Sequence, residues 1–437
     1  MTMAYEGAAA TAAGQAQRRR TRRVVMASIA GNAMEWYDFF IYGTAAALVF
    51  GELFFPKGTD PLLGTMGAFA GFAVGFLARP LGGVVFGHIG DRRGRKIALE
   101  WTLGIMGAST FLIGLLPTYA QAGFWAPAAM VLLRILQGAA AGGEWGGGVL
   151  LISEAVEGRR RGFFSSFSQL GVAGGFVLSS AVFMLAQQLP RDAFMSWGWR
   201  LPFLLSVFIF GIGLYIRRHI PESEAFVQAR KTARRGMPAV EVFRRYPREV
   251  FTAMGLRVAE NGGSYIFLAF ALAYGKFLGI SSDLMLGGVL LSMFVELGTL
   301  VWFGHLSDRI GRRAVYLLGS AGLMAAAFPF FWMVETREPF WIFAAFLLGN
   351  TVCHAAMIGT QPSYFAELFP PEVRYTGLAL GHELASVFAG GLSPLIAMAL
   401  LRKYESATPV AWFLVGLAAI TVITLLLTRE PARRDRA

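Results

Sequence analysis

Polarity along this chain alternates on a long scale: extended apolar stretches are separated by short connections that carry most of the charge. Twelve such stretches fall near residues 24–50, 62–87, 97–117, 124–153, 162–187, 200–216, 249–278, 284–304, 314–334, 338–366, 375–400 and 409–428. Each is of a length that crosses a hydrocarbon core of roughly 30 Å as a helix. Lipid offers the backbone no hydrogen-bond partner, so a helix, which satisfies its own, is the form such a run takes. The pattern predicts an all-α integral membrane protein of twelve transmembrane helices.

Composition sharpens that reading. Charged residues are 15% and hydrophobic residues 55% of the 437, too few charges to cover a water-soluble surface. The net charge of +12 raises nucleic acid as a partner, and its distribution argues against one. The two tails and the even-numbered connections hold 29 of the 39 Lys and Arg, and the odd-numbered connections hold seven. By the positive-inside rule both termini are cytoplasmic, so the basic excess is a topology signal. The single Cys353 excludes a disulfide or thiolate metal cluster within one chain. The Arg run before the first stretch resembles the start of a signal peptide, but that stretch is too long and carries Glu35 and Asp38; it reads as a retained first helix.

The chain repeats itself. The connection after the second span reads Gly87-His-Ile-Gly-Asp91-Arg92-Arg-Gly94-Arg95-Lys96, and the one after the eighth reads Gly304-His-Leu-Ser-Asp308-Arg309-Ile-Gly311-Arg312-Arg313. The offset is 217 residues (304 minus 87), and Glu154 is echoed by Glu367 and Arg161 by Arg374 at the nearly equal offset of 213 (367 minus 154). Two six-helix halves of like orientation follow. The expected division is a disordered cytoplasmic tail 1–22, a bundle 23–217, a basic cytoplasmic linker 218–248, a bundle 249–428 and a tail 429–437. Glycine in the repeated loop permits a reversal and close helix contact, and Asp near a helix end can pair with Arg or cap a neighbouring helix. Gly87, Asp91, Arg92, Gly94, Arg95 and Glu154, with Gly304, Asp308, Arg309, Glu367 and Arg374, are therefore expected to latch the helix ends in one state and release them in another.

That repeated G-x-x-x-D-R-x-G-R-K loop resembles the signature of the major facilitator superfamily. Finer resemblance, to the metabolite:proton symporter family, is carried by Gly31-Asn-Ala-Met-Glu-Trp-Tyr-Asp-Phe-Phe-Ile-Tyr-Gly43, Arg134-Ile-Leu-Gln-Gly138, Gly142-Gly-Glu-Trp-Gly-Gly147 and Pro221-Glu-Ser-Glu-Ala-Phe226. It runs from about residue 22 to 428. Segments Pro238 to Pro247 and Arg257 to Tyr274, with Gln361-Pro-Ser-Tyr-Phe, resemble the shikimate-permease-like branch. The resemblance implies the two-bundle facilitator fold, secondary transport across a bacterial inner membrane, action as a monomer, and a proton-coupling role for Arg134.

Charges inside the spans cost at least ~2.5–3.5 kcal/mol each if they meet lipid, so they face the interior. Glu35, Asp38 and Tyr42 recur at i, i+3, i+7 on one face. Two carboxylates this close repel, and a carboxyl group poised to gain and lose a proton is what proton coupling requires; static salt bridges are the alternative. Arg134, with Gln137 nearby, must pair with a carboxylate or a substrate anion, and Glu144 and Trp145 follow on the same span. Arg79 precedes Pro80 and either snorkels or binds ligand. Arg257, Glu260, Asn261 and Tyr265 form a polar stripe expected to line a cavity, and Gln361, His382, Glu383 and Glu296 complete the set. His354 and His88 carry less weight. Glu35, Asp38, Arg134 and Glu144 are the proton-coupling candidates; Tyr42, Arg79, Gln137, Trp145, Arg257, Glu260, Asn261, Tyr265, Gln361, His382 and Glu383 are the substrate-binding ones.

No His and carboxylate set has metal spacing and no nucleophile or Walker motif appears, so neither an enzyme, a cofactor nor a metal is expected. The expected partners are a small substrate, protons and the bilayer. The first reading is proton-driven uptake of a small carboxylate-bearing metabolite, shikimate or a related organic acid. Uptake of proline or betaine is the alternative; the chain ends about nine residues after the last span, without the coiled-coil tail of some such carriers. Drug export and a non-transporting sensor rank below both.

Overall fold

The computed structural model describes residues 31–93, 95–142, 160–218, 238–370 and 373–428, together with Met26 and Ile29. Twelve long helices follow one another, with no strand among the described residues. In the first half they are α1 (31–53), α2 (Pro61–Arg93), α3 (Arg95–Leu115), α4 (Trp125–Ala141), α5 (Arg161–Gln187) and α6 (Leu201–Arg218). In the second half α7 joins Pro247–Tyr265, Ile266–Phe270 and Ala271–Phe277. It is followed by α8 (Ser282–Ile310), α9 (Arg312–Glu335) and α10 (Pro339–Leu368). The last two are α11, running from Arg374–Ala385 through Ser386–Gly391 to Ser393–Tyr404, and α12 (Thr408–Leu427). A short amphipathic helix, Pro238–Arg245, precedes α7.

Helix starts follow local chemistry. Proline opens α7, α10 and α12, where its missing N–H would have no partner in any case. Ser281 caps α8 by accepting from the Leu284 amide at 3.3 Å. Eight helices are long and apolar enough to cross a membrane, and α4 is a shorter apolar helix. The polar residues on α1 and α7 (Glu35 and Asp38; Arg257, Glu260 and Asn261) lower the hydropathy of these two helices.

Packing repeats as the sequence does. In the first half α2 lies on α4 and α3 on α6; in the second α8 lies on α10 and α9 on α12. A π-helical turn interrupts α1 at Ala46–Phe50 and α7 at Ile266–Phe270, 220 residues on (266 minus 46). Such turns break the regular hydrogen-bond ladder and re-aim the side chains beside them. The halves meet along two seams, α5 against α8 and α2 against α11.

Polarity is inside out relative to a water-soluble bundle. On α4, Leu132, Ile135 and Leu136 are exposed while Arg134 and Gln137 are buried. Phe294 and Trp302 on α8 and Trp412 on α12 are likewise exposed. A jacket of this kind matches hydrocarbon and leaves the charges to each other.

The motif Gly304 to Asp308 occupies the last turns of α8 rather than a loop, and the reversal falls at Gly311, with φ +105° and ψ 152°. Only glycine adopts this region readily. Gly311→Ala is expected to destabilise the protein by about 1–3 kcal/mol. A lowered thermal midpoint in detergent is the check, and an unchanged midpoint contradicts the assignment.

Candidate functional site

The buried acidic, basic and histidine side chains of the described helices, Arg312 apart, fall into three linked groups. The first joins α1, α3 and α4. Arg134 and Gln137 are three apart on α4 and so share a face. Arg134 Nη1 donates to Gln137 Oε1 at 2.5 Å, and Gln137 Nε2 donates to Asp38 Oδ2 and, at 2.8 Å, to Thr110 Oγ1. The Thr110 hydroxyl itself lies against Asp38 Oδ1 and the Met106 carbonyl. The guanidinium group of Arg134 rests over the ring of Tyr42, 4.1 Å from its centre, and near those of Phe39 and Phe72. The amide of Gln137 thus relays between a cation and a carboxylate that do not touch directly.

The second group spans the α2–α11 seam. Arg79 places Nη2 3.6 Å from Glu35 Oε1 on α1 and Nη1 3.5 Å from Glu383 Oε2 on α11. Its guanidinium group lies 4.3 Å from the ring centre of Phe39 and 4.7 Å from that of Phe76, which exclude water from the pair. His382 Nδ1 sits 2.9 Å from the other oxygen of Glu383.

The third group lies within the second half. Arg257 pairs with Glu260 one turn on and donates to Gln361 Oε1 at 2.9 Å. Gln361 Nε2 reaches Glu260 Oε2 and the Tyr316 hydroxyl, both at 3.0 Å. His354 on α10 stands between two carboxylates: Nδ1 is 2.6 Å from Glu296 Oε1 on α8 and Nε2 is 3.2 Å from Glu260 Oε1 on α7.

The third group borders a narrow cavity between the halves, lined by Trp36, Gln169, Arg257, Asn261, Glu296 and His354 among others. Its free space is about 10 Å³, room for about one water. Trp36 Nε1, Gln169 Nε2 and Asn261 Oδ1 are buried there without a hydrogen-bond partner among the described residues, as is the nearby Tyr265 hydroxyl. Buried polar atoms are ordinarily paired, so this concentration marks a place where something else supplies the partners.

Both ends of the cavity are closed by contacts between halves. At one end the Asp308 carboxylate accepts from the backbone N–H groups of Gly162 and Phe163, both at 2.9 Å, capping α5. Arg312 holds it from the other side at 2.7 Å and reaches Glu367 at 3.4 Å. Gly304 lets the helices approach: a Cβ there would lie 2.7 Å from that of Ser166. At the opposite end Glu52 on α1 meets Lys276 on α7 at 2.6 Å and Arg191 at 3.5 Å, and Lys276 also donates to the Leu48 carbonyl at 3.2 Å.

Placement differs in detail from the sequence-based expectation. Glu35, Asp38, Tyr42, Arg79, Gln137, Arg134, Arg257, Glu260, Asn261, Tyr265, Gln361, His382 and Glu383 are all buried, but they do not sort into a proton set and a substrate set. Tyr42 and Gln137 belong with Arg134 and Asp38, and Arg79 is an inter-helix bridge that does not snorkel. Arg309 is exposed, and Arg312, one turn beyond Asp308, makes the ion pair. Arg374 Nε donates to the Phe369 carbonyl at 3.1 Å. Gly94, Glu144, Trp145 and Glu154 lie outside the described residues, as do the surroundings of Gly87 and the side chains of Asp91, Arg92 and Arg95. Thr110, Gln169, Trp36 and Tyr316 escaped the sequence reading. Their only signal was a polar atom in an apolar span, and membrane Ser and Thr commonly bond their own helix backbone, as the position of Thr110 beside Met106 illustrates.

A charge-lined core between two six-helix halves, closed at both ends and jacketed in apolar side chains, defines a membrane carrier. Residues 29–394 and 297–437 match the family model described as Major Facilitator Superfamily. The chain is 41% identical over 421 residues to the shikimate transporter of Escherichia coli (strain K12), covering 95% of this chain and 96% of that one. It is 36% identical over 430 residues to the proline/betaine transporter of the same organism, covering 95% and 85%. Among solved structures, the xylose transporter XylE from E. coli, partially occluded and inward open, matches with a TM-score of 0.72 at 16% identity over 94% of this chain and 98% of that one, a likeness of fold. The chain belongs to the major facilitator superfamily and is a membrane transporter rather than an enzyme.

Thr110→Val keeps the shape of the side chain but removes the hydroxyl beside Asp38 Oδ1. Stripping a buried charged group of a partner costs about 1–3 kcal/mol, so the variant is expected to unfold at a lower temperature in detergent. An unaltered midpoint would mean that the contact contributes nothing.

Proposed function

We propose that this protein is a proton-coupled symporter that takes up a small carboxylate-bearing metabolite, shikimate or a related organic acid, across a bacterial inner membrane. One observation carries the proton coupling. Among the described residues of the first two groups, three carboxylates, Glu35, Asp38 and Glu383, face two guanidinium groups, Arg79 and Arg134. An uncancelled charge in a water-poor interior is costly, and one proton removes the imbalance. Asp38, tied to Arg134 through Gln137, is the acid best placed to take it, with Glu35 the neighbour on the same face.

The substrate reading rests on the cavity. Arg257 offers a cation at its wall, Trp36 Nε1 and Gln169 Nε2 offer donors, and Asn261 Oδ1 an acceptor. A carboxylate with hydroxyl groups satisfies all of them, and the relative named as a shikimate transporter supports the choice. The small free space requires the helices to part before a metabolite enters. In this account the Asp308 cap on α5, with Gly304, Arg312 and Glu367, and the Glu52–Lys276 pair at the other end release in turn. The Arg-rich connections, and with them both termini, face the cytoplasm. The protein acts as a monomer whose two halves rock about the cavity.

A second reading, uptake of proline or betaine, is favoured by Glu260 and Glu296 and by the Trp36 and Phe40 rings in the same wall, which suit a quaternary ammonium group. Uptake of labelled shikimate, proline and betaine into proteoliposomes separates the two. Shikimate is expected to accumulate under an inward proton gradient, and an uncoupler is expected to abolish the accumulation. Asp38→Asn is expected to lower the steady accumulation ratio while sparing substrate exchange at equilibrium. Accumulation that survives the uncoupler in the wild type rules out proton symport; betaine uptake without shikimate uptake moves the substrate reading to the osmolytes.

A further inference from the structure

His354 is engaged on both ring nitrogens by carboxylate oxygens, Glu296 Oε1 at 2.6 Å and Glu260 Oε1 at 3.2 Å. A neutral imidazole has one N–H donor and one bare nitrogen, so one of these contacts would set two lone pairs against each other. An imidazolium donates in both directions. The charges agree with the hydrogen bonds. Among the described residues, Glu260 and Glu296 have only Arg257 as a guanidinium counter-charge within the group, so the cluster is neutral when it holds one extra proton.

We propose that the Glu260–His354–Glu296 cluster is a second proton-holding site, so that two protons accompany each substrate. This rests on the proton-symport reading above and adds to it a site in the other half of the molecule. The groups around His354 are Arg257 and Glu260 on α7, Glu296 on α8, and Tyr316 on α9, which shares Gln361 with Glu260. From the first half the facing residues are Trp36, Phe40 and Gln169, none of which titrates near neutral pH. His382 and Glu383 on α11 lie within the field of Arg257.

The site is linked to the proposed substrate cavity. His354, Glu260 and Glu296 line the same cavity as Arg257. A hydronium ion entering from outside gives its proton to an imidazole nitrogen and leaves as water; on the inner side a water molecule takes the proton back. Arg257 supplies the connection. When a substrate carboxylate draws on its guanidinium group, Glu260 loses part of its counter-charge, and the proton on His354 restores it. Substrate and proton therefore bind cooperatively.

The double variant His354→Asn with Glu296→Gln leaves Arg257 and Glu260 as a neutral pair with no proton to carry. In proteoliposomes of the full chain with labelled shikimate and no membrane potential, the variant is expected to move one proton fewer per substrate. The steady accumulation ratio then falls about tenfold for each pH unit of gradient. An unchanged accumulation ratio in an active variant overturns the second site while proton symport stands. A wild type indifferent to the gradient overturns both. Should the variant fail to fold or to transport, or shikimate prove not to be the cargo, the wild-type chain labelled with ¹⁵N-histidine decides. The His354 signal, assigned by its loss in His354→Gln, is expected to be that of an imidazolium at neutral pH, and a neutral ring there refutes the proposal.

Discussion

Lipid cannot solvate a guanidinium group, so Arg79, Arg134 and Arg257 take their counter-charges from the protein itself. Much of the interior follows from that requirement. Arg79 takes carboxylates from α1 and α11, and so ties the halves across one seam. Arg134 has no carboxylate in direct contact among the described residues and uses Gln137 to reach Asp38. Arg257 pairs along its own helix and shares that pair with α10 through Gln361. Breaking such a pair from one side leaves a buried charge behind, at a cost of about 3–5 kcal/mol. A proton is the one ion small enough to restore balance without displacing a helix.

The same chemistry is used differently at the two ends. The Asp308 cap is made of hydrogen bonds to backbone amides and one ion pair, and the Glu52 contact of partly exposed ion pairs. Contacts of this kind exchange readily for water when helices part, whereas an interlocked apolar seam does not. Gly162 and Gly304 bring α5 and α8 close enough for the carboxylate to reach the helix end. In the proposed cycle the charge pairs at the centre sense the cargo and the caps at the ends respond.

Much of this was legible in the sequence, for identifiable reasons. Hydropathy announces the membrane helices because lipid imposes it on every turn, and the 217-residue echo of Gly304 and Asp308 announces the two halves. Glu35, Asp38, Arg134 and Arg257 stood out because charge is rare in such spans. Which charge meets which was not legible, because pairing is decided by helix rotation and depth. Arg312 and not Arg309 holds Asp308, since α8 continues to Ile310 and turns at Gly311. His354 carried little weight as a lone membrane histidine, and only the approach of α7 and α8 supplies its two carboxylates. Thr110, Trp36 and Gln169 depend on the same tertiary approach.

In the proposed cycle protons travel with the cargo because, among the described residues, the buried carboxylates outnumber the guanidinium groups. The most direct test is proton movement itself. Purified protein is reconstituted into lightly buffered vesicles without an imposed gradient, and shikimate is added outside while external pH is followed. The medium is expected to turn alkaline as substrate enters, and the change per substrate is expected to be smaller in vesicles carrying Asp38→Asn. Substrate entry with no change in external pH would contradict proton symport.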